Sequence, residues 1–218
     1  MPVQKDSYFE IVKESSASGA TLVAVSKKKS VEEIKELYDL GHRDFGENYV
    51  QELIQKQPLL PQDIRWHFIG HLQRNKVKFI LPFCSLIQGV DRYELLEEIN
   101  KQAVRLGSVV DCLLQVHIAS EETKFGFDAA ELSSVLVKRS LFSNVRIIGL
   151  MGMASFTENA TQVDKEFKLL KKYFDQHRAD FLVDNPVLSM GMSGDYQHAM
   201  AAGSNMIRIG SLLFGARI

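Results

Sequence analysis

Short apolar runs alternate with amphipathic stretches along almost the whole chain. The apolar runs are typical of buried strands, which are continuously hydrophobic when both faces of a sheet are covered. The stretches between them place apolar residues at helical spacing. The predicted strands lie at residues 21–26, 43–47, 65–70, 84–90, 109–119, 145–154, 186–192 and 206–214.

Several helical stretches begin with a recognisable capping pattern. Ser30–Glu33 is a predicted capping box, in which a hydroxyl and a glutamate satisfy each other's backbone N–H groups. The same pattern with aspartate first predicts helix starts at Asp91–Glu94 and Asp128–Glu131.

Eight strands that alternate with helices predict a parallel sheet covered by helices. Alternation alone is compatible with a closed barrel and with an open doubly wound sheet. The strand count, the compact spacing and the lack of a Gly-x-Gly-x-x-Gly turn after the first strand favour the barrel. We therefore predict an α/β protein with a helical arm at residues 1–18 and a single-domain (β/α)8 TIM barrel at residues 19–218.

Composition narrows the functional classes. The 218 residues are 45% hydrophobic and 24% charged, with a net charge of −1, so nothing indicates binding to nucleic acid or to an anionic membrane surface. No apolar run approaches the roughly 18 residues of a membrane span, and Met1–Glu14 does not resemble a signal peptide. Cys84 and Cys112 lack metal-site spacing and are interpreted as buried thiols, so we expect a cytoplasmic protein.

The first predicted strand ends in three lysines. Lys27 comes at the carboxyl end of this strand, where barrels of this type carry their chemistry. A lysine amine there can act as a Schiff-base nucleophile if its surroundings lower its pKa. On this stretch alone, a solvated lysine cluster is the more frequent alternative.

The ends of the last two strands have features of a phosphate site. Ser193–Gly194 comes just before a short predicted helix at Asp195–Ala202, and Gly210–Ser211 offers a close backbone approach and a hydroxyl. The loops after strands 7 and 8 are the usual phosphate site of this barrel. The alternative is that Ser-Gly-Asp is an ordinary helix cap.

Arg208 and His67 are inward-facing candidates with two interpretations each. Arg208 lies two residues before Gly210 and so on the same side of the strand. It either forms an internal ion pair, for instance with Glu47, or donates to a ring nitrogen. His67 is either a cofactor contact or, more often for one histidine on an apolar strand, a hydrogen-bonded core residue. The six histidines have no paired spacing, so no metal site is predicted.

Six segments, in order along the chain, closely resemble the pyridoxal phosphate homeostasis proteins (YggS/PROSC type). The resemblance runs from about residue 21 to 217. Its most specific part is the His-Phe-Ile-Gly-x-Leu-Gln-x-Asn-Lys segment. The segments are Ala24–Lys27, Phe45–Tyr49, Trp66–Lys76, Gly149–Met151, Ser189–Ser193 and Arg208–Gly210.

The resemblance implies a barrel similar to the N-terminal domain of bacterial alanine racemase. It also implies pyridoxal 5′-phosphate bound as a Schiff base to Lys27, with Arg208 facing the pyridine nitrogen. The phosphate would be held by Ser193, Gly210 and Ser211. The family often has threonine where this chain has Ser211, and the hydroxyl is kept. The remaining implied cofactor contacts are Asn48, His67 and Met190.

The implied function is intracellular homeostasis of pyridoxal phosphate, in which the protein holds the cofactor and releases it to apo-enzymes. Arg208 can only donate, so it leaves the pyridine nitrogen unprotonated and the ring a weak electron sink. Alanine racemases add a C-terminal β-domain and a tyrosine base from the dimer partner, and the sequence has neither after its eighth strand. We therefore expect a monomer without strong catalytic activity.

Two questions stay open at this stage: whether the protein is a carrier, and which lysines take part in cofactor release. The alternatives to a carrier are a weak pyridoxal phosphate-dependent amino-acid racemase and a cofactor-free scaffold. Lys29, on the same side as Lys27 if the strand persists, and Lys124, on a loop, are candidate acceptors during cofactor release. Solvated lysines are the more frequent alternative for both.

Overall fold

The protein folds into a closed barrel of eight parallel strands, seen in a computed structural model that describes residues 3–121 and 125–215. Each strand pairs with the next one along the chain, and β8 pairs with β1 from Thr21–Met206 to Ala24–Ile209. This closure confirms the predicted (β/α)8 barrel and excludes the open sheet. The strands are β1 (Thr21–Val25), β2 (Asp44–Glu47), β3 (Arg65–Phe68), β4 (Cys84–Val90), β5 (Val110–Gln115), β6 (Val145–Met151), β7 (Val187–Ser189) and β8 (Met206–Ile209).

In the described part of the chain an α-helix follows each strand, and a further helix precedes β1. The helices are α1 (Lys5–Ala17), α2 (Val31–Asp39), α3 (Val50–Lys56), α4 (Val77–Ile80), α5 (Tyr93–Leu106), α6 (Ala129–Val137), α7 (Ala160–Gln176), α8 (Tyr196–Ala201) and α9 (Ser211–Phe214). None of the helices within the described residues has the length and apolar character needed to cross a membrane.

Apolar side chains fill two separate layers because successive residues of a strand point to opposite faces. The larger layer lies between barrel and helices and contains Phe45, Phe68 and Phe167. The smaller layer lies inside the barrel and includes Val23 and Leu113. The apolar part of the barrel interior is thus packed, and barrels of this type carry their chemistry at the carboxyl ends of the strands.

Two of the three predicted capping boxes are present. Ser30–Glu33 and Asp128–Glu131 each make both reciprocal hydrogen bonds, at the starts of α2 and α6. The prediction at Asp91–Glu94 is wrong, because α5 begins at Tyr93 without a side-chain cap. The Asp91 carboxylate instead accepts hydrogen bonds from His71 Nδ1, at 2.8 Å, and from Arg92 Nη1.

The N-terminal helix α1 packs on the barrel as part of the helical layer. Tyr8 and Ile11 are buried in the larger apolar layer. The Gln4 N–H donates to the Leu213 carbonyl at 2.8 Å, which joins the start of α1 to α9. The domain boundary at residues 18 and 19 stays a prediction.

The two cysteines have the buried character that their sequence surroundings indicated. Cys112 is buried, Cys84 is partly buried, and both are free thiols. Burial raises the pKa of the Cys112 thiol well above its ordinary value, so this group is unreactive at neutral pH.

Candidate functional site

A cavity of about 1160 Å³ opens at the carboxyl ends of the strands. Its wall contains five of the eight residues that the sequence singled out as cofactor contacts. These five come from the ends of β1, β7 and β8, which the closed barrel brings side by side. They are Lys27, Ser193, Arg208, Gly210 and Ser211.

Lys27 sits in a tight turn rather than on an extended strand. β1 ends at Val25, and the Lys29 N–H donates back to the Ser26 carbonyl at 3.0 Å. Lys28 has a φ of +61°, in the left-handed region that side chains seldom adopt. Its N–H donates to the Glu52 carboxylate at 2.5 Å, which fixes this conformation. The turn therefore holds Lys27 on the cavity wall.

This turn also decides where Lys29 points. The strand does not persist to Lys29, so the condition for placing it beside Lys27 fails. Lys29 still lines the cavity, but its Nζ donates to the Phe214 carbonyl at 2.9 Å and to Glu33 Oε1 at 3.3 Å. Lys124 lies outside the described residues. The acceptor roles of both lysines stay predictions.

A buried ion cluster is hydrogen-bonded to the start of the turn that contains Lys27. Lys56 Nζ donates to the Ser26 carbonyl, to Glu47 Oε1 and to Glu52 Oε1, each at 2.8 Å. Burial raises the pKa of the Glu47 carboxyl, although Lys56 and Ser26 partly oppose this. The interpretation of Glu47 as the ion-pair partner of Arg208 is therefore wrong, because Glu47 is bonded to Lys56.

Sequence reasoning missed Lys56, although its spacing carried a signal. Val50, Leu53 and Lys56 recur every three residues on α3, so the lysine continues the apolar face of the helix. Lys56 is only 6% exposed. A lysine that continues an apolar stripe needs an internal acceptor, and Glu47 provides it.

Arg208 is a buried cation whose hydrogen bonds go to neutral groups. Its Nη1 donates to Ser189 Oγ at 2.6 Å, and its Nη2 donates to the Gly152 carbonyl at 3.0 Å. Burial lowers its pKa to about 10, an effect that the charge of Asp195 opposes. Arg208 is thus charged at neutral pH, and it is one of the residues that line the cavity.

The loops after β7 and β8 are joined at the predicted phosphate site. The Gly210 N–H donates to Ser193 Oγ at 3.2 Å. The Asp195 carboxylate accepts the Met192 N–H at 2.5 Å and does not cap the following helix, α8, which begins at Tyr196. Ser193 and Ser211 both line the same cavity.

The other three predicted contacts do not lie on the cavity wall. Asn48 directly follows β2, and its Oδ1 is buried without a hydrogen-bond partner among the described residues. The Met190 side chain packs in the layer between barrel and helices. The His67 ring lies inside the barrel, 3.0 Å from Gln88 Nε2 and 3.1 Å from Asp44 Oδ1. Their contact with a cofactor stays a prediction.

Comparison with known proteins identifies the family. The alanine racemase N-terminal domain family matches residues 8–218. The pyridoxal phosphate homeostasis protein of Aquifex aeolicus is 39% identical over 199 residues, which cover 91% of this chain and 87% of that protein. This chain belongs to the pyridoxal phosphate homeostasis protein family. The human family member is 36% identical over 209 residues, which cover 90% of this chain and 76% of that protein.

Solved structures confirm the predicted fold of this homeostasis family member. PipY of Synechococcus elongatus, solved with PLP bound, superposes with a TM-score of 0.82 at 35% identity, over 90% of this chain and 93% of PipY. Alanine racemase of Bartonella henselae, solved with covalently bound pyridoxal phosphate, gives a TM-score of 0.72 at 16% identity. That match covers 92% of this chain and 56% of the racemase, and it shows the shared fold alone.

Proposed function

We propose that this chain binds pyridoxal 5′-phosphate through Lys27 and acts as a monomer in its cytoplasmic homeostasis, holding the cofactor and releasing it to apo-enzymes. The observation that carries the proposal is one cavity whose wall contains both Lys27 and Arg208. The Aquifex aeolicus and human relatives are named pyridoxal phosphate homeostasis proteins, and PipY was solved with PLP bound.

The residues at the cavity fit the chemical groups of this cofactor. When bound, pyridoxal phosphate supplies an aldehyde that condenses with an amine and a pyridine ring that can accept electrons. Ser193 and Ser211 offer hydroxyl donors for a phosphate, and Gly210 leaves room. A Cβ added at Gly210 would lie 3.4 Å from Val25, and one added at Gly194 would meet nothing within 4 Å. Gly194 therefore borders open space, whereas a side chain at Gly210 would already contact Val25.

Two further groups suit a polar aromatic ligand. Arg208 has only N–H donors, so it can hold an unprotonated ring nitrogen and would keep electron withdrawal by the ring weak. Asn48 Oδ1 is a buried acceptor without a donor among the described residues. A buried polar atom of this kind is costly unless a ligand or water satisfies it.

We further infer that the protein lacks strong catalytic activity. None of the described residues on the cavity wall is a tyrosine, the residue that supplies the second base in alanine racemases. Tyr196, whose helix follows the wall segment, donates its hydroxyl to Glu14 Oε2 at 2.7 Å. Burial and this hydrogen bond raise the pKa of Tyr196 to about 12, which makes it a poor base at neutral pH.

The deciding experiment is an absorbance spectrum of the protein with added pyridoxal phosphate, followed by borohydride reduction and peptide mapping. We expect a visible band and a reduced adduct on Lys27, both absent in Lys27→Ala. Lys35→Ala is the matched control, because Lys35 pairs with Asp39 on the exposed surface and does not line the cavity. Absence of a band in the wild-type protein would contradict the proposal.

Racemase activity has its own readout. Incubation of the loaded protein with L-alanine in deuterated water should leave the α-proton unexchanged over times in which a racemase exchanges it fully. Exchange that depends on Lys27 would favour the weak racemase over the carrier.

A further inference from the structure

A continuous line of hydrogen bonds crosses the barrel interior and ends at Arg208. Arg208 Nη1 donates to Ser189 Oγ at 2.6 Å, and Ser189 Oγ lies 2.7 Å from Gln88 Oε1. Gln88 Nε2 lies 3.0 Å from His67 Nδ1, and His67 Nε2 lies 3.1 Å from Asp44 Oδ1. The four contacts connect strands β8, β7, β4, β3 and β2.

The far end of this line is anchored at the opposite mouth of the barrel. Asp44 is the first residue of β2, and its carboxylate accepts from Nε of Arg65 at 2.7 Å and from Nη2 of the same side chain. Burial alone would raise the pKa of Asp44, but hydrogen bonds from His67 and Arg65 outweigh it and hold that pKa well below its ordinary value. The line therefore runs from a cation, Arg208, to an ionised carboxylate.

Donor and acceptor chemistry, together with the orientation of the Gln88 amide, sets the direction of each bond in the line. Arg208 can only donate, so Ser189 Oγ accepts from it and turns its own proton to Gln88 Oε1. Gln88 then donates from its Nε2 to His67 Nδ1. His67 Nδ1 must be unprotonated, and Nε2 carries the proton that is donated to Asp44. The orientation of the Gln88 amide has independent support, since Nε2 also lies 3.2 Å from Met206 Sδ, which is only an acceptor.

The interior position of the linking residues makes this line hard to replace by water. Ser189 and Gln88 are fully buried, and His67 is 4% exposed. A buried polar group that loses its partner keeps its full desolvation penalty, so each member depends on its neighbours. The aligned bond dipoles also place their negative ends toward Arg208, whose direct acceptors are neutral.

We propose that Ser189, Gln88 and His67 are positioning residues, which hold the Arg208 guanidinium at the cavity by linking it to Asp44 across the barrel. His67 then acts on the cofactor site through Arg208 and not by direct contact. The structural part of this proposal concerns the protein alone, and its consequence for the cofactor rests on the proposed function.

The first test needs no cofactor. Long-range ¹H–¹⁵N spectra of the histidines at neutral pH should show His67 as the neutral tautomer with the proton on Nε2. Ser189→Ala, which removes the acceptor of Arg208, should change the His67 nitrogen shifts, whereas Ser189→Thr, which keeps a hydroxyl, should restore them. A proton on Nδ1 would overturn the proposal. So would His67 nitrogen shifts that stay the same in Ser189→Ala as in the wild-type protein.

The second test measures the consequence for the cofactor. Ser189→Ala should weaken pyridoxal phosphate binding about tenfold or more, the usual size for losing a hydrogen bond to a charged group, and should shift the visible band. Ser204→Ala is the matched control. Ser204 is 3% exposed and its hydroxyl bonds the Leu188, Met190 and Met206 carbonyls, but it has no bond to Arg208.

The outcomes separate the two proposals. Equal binding losses in Ser189→Ala and Ser204→Ala would reduce Ser189 to a packing role and overturn the positioning proposal. If the wild-type protein fails to bind pyridoxal phosphate, the proposed function fails, and the His67 tautomer still decides whether the line of bonds exists. An unchanged affinity and spectrum in Ser189→Ala, with wild-type binding intact, would also overturn the positioning proposal.

Discussion

Lys56 and Arg208 are both buried cations near the carboxyl end of the barrel, yet their surroundings differ in kind. Lys56 lies between barrel and helices and touches two carboxylates, Glu47 and Glu52, at 2.8 Å. Arg208 lies inside the barrel, and its direct acceptors are a hydroxyl and a backbone carbonyl. The Lys56 charge is therefore paired with carboxylates, whereas the groups in direct contact with the Arg208 charge are neutral.

The difference separates a structural cation from one that can serve a ligand. A buried charge that already has a close ion pair gains little from further contacts. Removing that charge leaves its partner buried and unpaired. A buried charge held by neutral acceptors retains attraction for an electron-rich group. In the sequence, Arg208 had both an ion-pair and a cofactor interpretation, the second through the family resemblance, whereas Lys56 was not singled out.

The largest expected effect is on stability, at Lys56. Lys56→Met leaves the Glu47 carboxylate buried without its cation, so we expect a loss of about 3–5 kcal/mol in the free energy of unfolding. Urea denaturation at neutral pH measures it. Lys35→Met is the control, because Lys35 pairs with Asp39 on the exposed surface and should change stability by less than about 0.5 kcal/mol. Equal small effects at both lysines would remove the structural role of Lys56.

The next largest effect is on ligand binding, at Arg208. Arg208→Met leaves the buried Ser189 hydroxyl and the Gly152 carbonyl without their donor, so we expect a loss of about 1–3 kcal/mol in the free energy of unfolding, smaller than for Lys56→Met. Pyridoxal phosphate affinity should fall by about 10- to 100-fold, which corresponds to a hydrogen bond from a charged donor. Denaturation and spectroscopic titration give the two numbers. Arg146→Met, at the exposed ion pair with Asp111, should leave the affinity unchanged.

Together these two variants test whether Lys56 and Arg208 differ in role. A stability loss without a binding loss in Arg208→Met would make Arg208 a second structural cation. Wild-type affinity in that variant would contradict its predicted contact with the cofactor.

The barrel could be predicted because its signals are local. Alternating apolar runs and helical stripes fixed eight strands and the order of the elements. Strand ends were less well predicted: the run at residues 206–214 contains β8, Met206–Ile209, and then α9. Leu213 and Phe214 are apolar because they pack in the layer outside the barrel, and not because a strand continues.

Site residues that belong to sequence motifs were predicted. Those that depend on contacts between distant positions in the chain were missed. Lys27, Ser193 and Arg208 come from motifs at strand ends, and the structure gathers them at one cavity. The bond between Gln88 and Ser189 joins positions 101 residues apart. The amide side chain of Gln88 in the apolar strand β4 indicates that it has a buried hydrogen-bond partner. Which residue that partner is depends on the register of the closed barrel.

The smallest effect contrasts the carboxylates of the two networks, because their pKa values shift in opposite directions. Hydrogen bonds from His67 and Arg65 lower the pKa of Asp44 against its burial, whereas burial raises the pKa of Glu47. Asp44 therefore adds stability above its unfolded pKa of about 4, and this contribution is lost as the pH falls toward the folded pKa. Glu47 has the reverse sign, since its contribution is lost as the pH rises through its folded pKa.

We expect Asp44→Asn to lose stability at pH 7, and the deficit relative to the wild-type protein should shrink by on the order of 1 kcal/mol between pH 7 and pH 3. Glu47→Gln should show the opposite trend, with a deficit that shrinks as the pH rises. Urea unfolding at several pH values measures both. Asp111→Asn is the control, because Asp111 forms a similar two-bond pair with Arg146 and, among the described residues, no hydrogen bond with a histidine. Deficits that run parallel with pH in Asp44→Asn and Glu47→Gln would mean that the two networks hold their carboxylates in the same way, and the contrast between them would fail.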